Sequence, residues 1–139
     1  MFCTGQLAGM MLAIAIAQAA AQQLPEESWT LRQQADDSVF SKLMPVIFLL
    51  NIVTLGASVA ASHQRSQLWF GAAAAFLIGT IADTVVLNVP INVEISTWKA
   101  GSAPADWMVE RDKWLEAHWL RTACGSLSFL CAGLGFVAS

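Results

Sequence analysis

Asp83, Asn88, Asn92, Trp107, Trp114, His118 and Arg121 are the side chains of this 139-residue chain whose types suit chemistry on a small molecule. An imidazole and a carboxylate can carry a proton. A guanidinium and carboxamides can donate hydrogen bonds to a developing anion. An indole offers a flat apolar wall. Spacing concentrates several of them. Trp107, Glu110, Arg111, Trp114, His118 and Arg121 share a helix sector about 100° wide. Gly125, Ser128 and Ala132 continue that sector as small residues that permit close packing. Asp83 ends a similar strip, Gly71, Ala75 and Gly79, expected to face inward, and Asn88 and Asn92 flank Pro90.

Each group also has a plainer reading. Asp83 and Arg121 can neutralise one another as a buried pair. His118 can be an interfacial histidine bonded to a backbone carbonyl. Asn88 and Asn92 can satisfy backbone groups freed by Pro90. Tryptophans near helix ends anchor at the membrane interface, which accounts for Trp29, Trp69, Trp98 and Trp119 better than for Trp107 and Trp114. No metal site is predicted: Cys3, Cys124 and Cys131 lack ligand spacing, and His63 falls in a polar turn far from His118. Haem held through His118 and a second ligand is the alternative. No organic cofactor is predicted.

The elements that must position these groups are apolar. Hydrophobic residues make up 56% of the chain, charged residues 12%, and mean hydropathy is +0.56. Soluble domains carry roughly 25% charge, and a soluble chain this short cannot hide so much apolar surface. Four runs, at about 2–22, 43–61, 67–87 and 118–138, match the ~20 residues of a membrane-crossing helix. The expectation is an all-α, multi-pass, four-helix transmembrane bundle in one domain, 1–139, with loop or cap segments at 24–42 and 88–117. Net charge is −3 and the basic residues do not cluster, so a nucleic-acid partner is excluded.

Ala17-Gln18-Ala19 looks like a signal-peptidase site, but no basic residue precedes the run, so a retained helix is expected. Gly5 and Gly9 have the spacing of close helix packing. Leu31, Ala35, Val39 and Leu43 recur every four residues, which predicts an amphipathic surface helix between helices one and two. Pro45 should kink helix two. Asp106 is a candidate N-cap for an extended helix four. Even crossings put the two long connections on one face, with every basic residue except Arg65 beside them, so the positive-inside rule assigns that face to the cytoplasm. Gln18, Asn51, Asp83, Asn88, Asn92, His118 and Arg121 all fall toward it.

Asn88-Val89-Pro90-Ile91-Asn92, a variable loop, then Trp114, His118 and Arg121-Thr122 opening an apolar helix resemble the DUF1772 family of small four-helix membrane proteins, which includes the anthrone oxygenases. The resemblance extends to a Gly-bearing first helix, the Leu24-Pro25 exit and Pro45. It implies a cofactor-independent monooxygenase, an oxidoreductase that turns an apolar aromatic polycycle and O2 into a quinone. His118, Arg121 and Asp83 are then the candidate catalytic residues: His118 as base, Arg121 with Asn92 as anion stabilisers, Asp83 orienting either. Asp83 enters from helix geometry, the others from the motif. Asn88, Asn92, Trp114 and Trp107 are the candidate substrate-binding residues. The rival readings are a helix-packing subunit, as a homo-oligomer or in a larger membrane complex, and a quinone- or lipid-binding protein.

Overall fold

Pro25 and the apolar periodicity set the helix starts, and the polar turn at Ser62–His63 separates the second rod from the third. The computed structural model describes residues 2–139. It consists of α1 (Phe2–Ala21), α2 (Glu26–Ala61), α3 (Gln64–Asp83), a π-helical turn (Thr84–Asn88), α4 (Val89–Ser96) and α5 (Trp107–Val137). The all-α architecture is as expected. Four rods are long and apolar enough to cross a membrane: α1, α2, α5 and the continuous segment Gln64–Ser96.

The connections are more helical than expected. Segment 26–42 is not a separate surface helix but the first half of the 36-residue α2, with Pro45 inside it. Its apolar stripe faces outward, with Leu31 54% and Val39 58% exposed, while Trp29, Thr30 and Gln33 face inward. The outward stripe has a physical reason. Around a membrane bundle the surroundings are themselves apolar, so polar groups seek one another inside. Segment 88–117 is likewise largely helical. Pro90 offers no N–H to the Val86 carbonyl and its ring crowds that oxygen. The chain widens into the π turn at Thr84–Asn88, just before it, and continues as α4. α5 begins after Asp106, as expected, although the Asp106 side chain makes no capping bond.

α5 packs most closely on α3 and α1, and α2 covers α3. Leu7, Met11, Met44, Phe48, Phe70 and Leu77 form the main core. The inward face of α3 is Phe70, Ala73, Leu77, Thr80 and Asp83. Gly71 and Ala75 lie on its exposed side, which corrects the expected small-residue strip. The α5 strip is as expected: Gly125, Ser128 and Ala132 are buried, and Ser128 Oγ donates to the Ala73 carbonyl at 2.8 Å. Trp29 and Trp98 are core residues of a second cluster with Ala21 and Ile95, not interfacial anchors. Trp69 and Trp119 are exposed, as anchors require.

Candidate functional site

Three residues of α5 one turn apart form the centre. Trp114 and His118 stack, with ring centroids 4.9 Å apart and planes 9° from parallel. Arg121 Nε donates to His118 Nδ1 at 2.8 Å, its terminal nitrogen also approaches that atom, and the guanidinium carbon lies 5.6 Å from the Trp114 ring centre. His118 Nε2 lies 2.9 Å from the Met11 carbonyl of α1. A carbonyl only accepts, so Nε2 carries the hydrogen, and Nδ1 presents its lone pair to the guanidinium. The tautomer therefore follows from both partners. His118 does bond a backbone carbonyl, as its plainer reading holds, and it does so while fixing Arg121.

A carboxamide network joins this centre to α1, α2 and α4. Trp114 Nε1 donates to Asn92 Oδ1 at 2.7 Å, and Gln33 Nε2 donates to the same oxygen at 3.3 Å. The indole nitrogen is a donor only, so the Asn92 oxygen must face it. Asn92 Nδ2 then donates to Asp37 Oδ1 at 2.7 Å. Gln18 Nε2 donates to Gln33 Oε1 at 2.9 Å and to Asp36 Oδ2 at 3.1 Å. Asn88, fully buried, donates to the Trp114 carbonyl at 3.3 Å, and its own oxygen has no partner.

The network borders a cavity of about 420 Å3. Ile14, Phe40, Met44, Phe48, Ile81 and Val89 supply apolar walls, and Gln18, Gln33, Asp36, Asp37, Asn92, Trp114 and Arg121 supply the polar ones. Pro45, Val85, Val89 and Val93 line it and are also exposed on the outside of the bundle, so its mouth opens sideways between α2 and the π turn with α4. The volume lies in the range of small-molecule sites.

Of the seven candidates, Asn92, Trp114 and Arg121 reach the cavity wall. His118, 0% exposed, stands behind Arg121. Asp83 is buried with neither oxygen hydrogen-bonded, so it forms no close pair with Arg121. Trp107 lies apart, 5.7 Å from Trp29 between ring centres and under the Arg111 guanidinium. Among the described residues no three His, Cys, Asp or Glu side chains group as a metal site requires.

Sequence reasoning did not single out Gln33, Asp36 and Asp37, because it followed the apolar stripe of this segment. A signal was present: Gln33, Asp36, Asp37, Phe40, Met44 and Phe48 recur at three- and four-residue intervals and line one wall or core face.

Fold and site together define a four-helix integral membrane protein with a cavity that opens at the side of the bundle and ends in a polar network. The anthrone oxygenase family model matches residues 37–131, more than half of the chain, and the chain belongs to that family. Asp37, Asn92, Trp114, His118 and Arg121 all fall within the match. No curated protein and no solved structure matches the chain.

Proposed function

We propose that the chain is a membrane oxygenase that converts an anthrone to an anthraquinone without a cofactor. The observation that carries this reading is the cavity of about 420 Å3, whose mouth is apolar and whose inner wall bears Arg121 against Trp114. An anthrone is an apolar polycycle that partitions into lipid and enters sideways. Its acidic methylene and its carbonyl stand at opposite ends of the central ring.

Removal of the methylene proton gives an enolate, and Arg121 donates a hydrogen bond to the enolate oxygen. Preorganised donors in a dry site are worth most where charge develops. The electron-rich ring passes one electron to O2, and superoxide recombines at the former methylene carbon. The resulting hydroperoxide loses its remaining C–H proton and hydroxide, which leaves the second carbonyl and one water. Substrate and O2 supply all the electrons.

Trp114 serves as the flat wall, and Asn92 holds Trp114 and Asp37 in place. His118, expected as the base, holds Arg121 in this reading, because Nδ1 is already an acceptor for the guanidinium and Nε2 a donor to Met11. The same occupancy leaves no lone pair there for a haem iron. In the bilayer we place the α1–α2 and α4–α5 connections in the cytoplasm, which labelling of single cysteines at Gln22 and at Ser62 from either side would check.

A packing subunit would have a filled interior and paired polar groups. The interior instead holds a cavity of about 420 Å3, and in its wall Gln18 keeps a buried amide oxygen without a partner, which supports a ligand-binding role. The test is O2 uptake by the purified chain with a hydroxylated anthrone. One quinone per O2 consumed is expected, and a rate equal to spontaneous autoxidation would sink the proposal.

A further inference from the structure

We propose that Asp37 is the catalytic base of this reaction and that its proton leaves through a second, polar cleft. The inference rests on the oxygenase reading and supplies the step which that reading leaves unassigned.

Asp37 lies where two spaces meet. It lines the large cavity, and it also lines a separate cleft of about 260 Å3 bordered by Gln34, Ser38 and Ser96. Ser38 and Ser96 are exposed and Ser96 is the last residue of α4, so the cleft opens at the end of the bundle beside the α4–α5 connection. A base that turns over must discard its proton after each cycle. A group that touches substrate on one side and a polar outlet on the other can do so, whereas His118 is sealed from both.

Its orientation is fixed by a chain of one-way donors. The Trp114 indole N–H sets the Asn92 amide, and that amide then donates to Asp37 Oδ1. Oδ2 is left for the substrate. The other cavity carboxylate, Asp36, differs in having a cation beside it, which makes it the weaker base: Gln18 donates to its Oδ2, and Arg32 Nε stands 3.7 Å from the same oxygen.

The group that takes the methylene proton and the group that steadies the enolate oxygen must face opposite ends of the ring. Asp37 comes from α2 and Arg121 from α5. His118 and Arg121, in direct contact, cannot face opposite ends. A carboxylate suffices to abstract a C–H proton that a carbonyl acidifies, as ketosteroid isomerase shows with its Asp base. In this step the C–H bond breaks, the proton goes to Asp37 Oδ2, and the electron pair stays on the substrate as enolate. Asp37 then returns the proton to water in the cleft.

The experiment is deuterium exchange at the methylene of an anthrone, without O2, by the purified full chain in D2O. The wild type should exchange well above the uncatalysed rate. Asp37→Asn should lose on the order of 100-fold in exchange while still quenching tryptophan fluorescence on binding the anthrone. Asp37→Ala should regain exchange when formate is added. Wild-type exchange by D37N overturns the proposal, and so does D37A that formate fails to restore. A wild type that exchanges but consumes no O2 would sink the oxygenase reading and leave the base in place. A wild type that oxygenates, with D37N equally active, would sink the base alone.

Discussion

Arg121 reaches back one helical turn and donates to Nδ1 of His118, whose other nitrogen is tied to the Met11 carbonyl. A second proton on the imidazole would set an N–H against the guanidinium. The imidazole is therefore a socket for Arg121, and the two act as one unit. His118→Ala should lower turnover by about 10- to 100-fold through loss of position. His118→Asn, whose amide oxygen can still accept from the guanidinium, should recover part of that loss. Steady-state rates of the two variants decide the matter, since a base role for His118 would leave both equally inactive.

Arg121→Lys tests whether charge alone suffices. Lysine keeps the cation but loses the planar fork that bonds His118 while it lies beside Trp114. kcat should fall by about 100-fold, in the range seen when a preorganised anion donor is removed. KM for the anthrone should change little, because the apolar walls stay intact. A variant with full kcat would mean that any cation at this place serves.

The four rods were legible in the sequence because a crossing helix leaves a long apolar record. The α5 face was legible as well, since Trp114, His118, Arg121, Gly125 and Ser128 keep one helical sector and all are buried. The contribution of α2 was not. An apolar stripe at Leu31, Val39 and Leu43 reads as a separate amphipathic surface helix, and here it is the outward face of α2. Once the solvent is lipid, the informative stripe is the polar one, Gln33, Asp36 and Asp37. Asp83 fitted the helix geometry but not the site, because the close partner expected in Arg121 is bonded to His118 instead. Trp107 shared the right sector, but one and two turns before Trp114 that sector meets Trp29 and Gln22 rather than the cavity.

The mouth of the cavity can be tested without touching its chemistry. Val89 is 43% exposed and lines the cavity at its opening. Val89→Trp adds bulk there while remaining in an apolar setting. kcat/KM for a three-ring anthrone should drop by about 10-fold or more, with about 1.4 kcal/mol of transition-state access lost per tenfold. The melting temperature in detergent should stay near that of the wild type, because no core contact is lost. Unchanged kcat/KM would place the entrance elsewhere.

Two glycines near the end of α5 separate packing from propensity. A Cβ on Gly135 would stand 3.0 to 3.1 Å from three atoms of the Phe70 ring, itself buried between α3 and α5. A Cβ on Gly133 would meet nothing within 4 Å. Gly135→Ala must push the ring back into a filled core, which costs about 1–3 kcal/mol where a core is overpacked. Gly133→Ala adds only a better helix former on an open face, worth about 0.5–1 kcal/mol in a helix interior. Thermal unfolding in detergent should therefore show G135A below the wild type and G133A at or above it. Helix association in lipid depends on such close approaches, so the pair also tests the α3–α5 seam that holds Asp83, His118 and Arg121 in register. If both variants melt alike, the two helices do not meet at Gly135 as described.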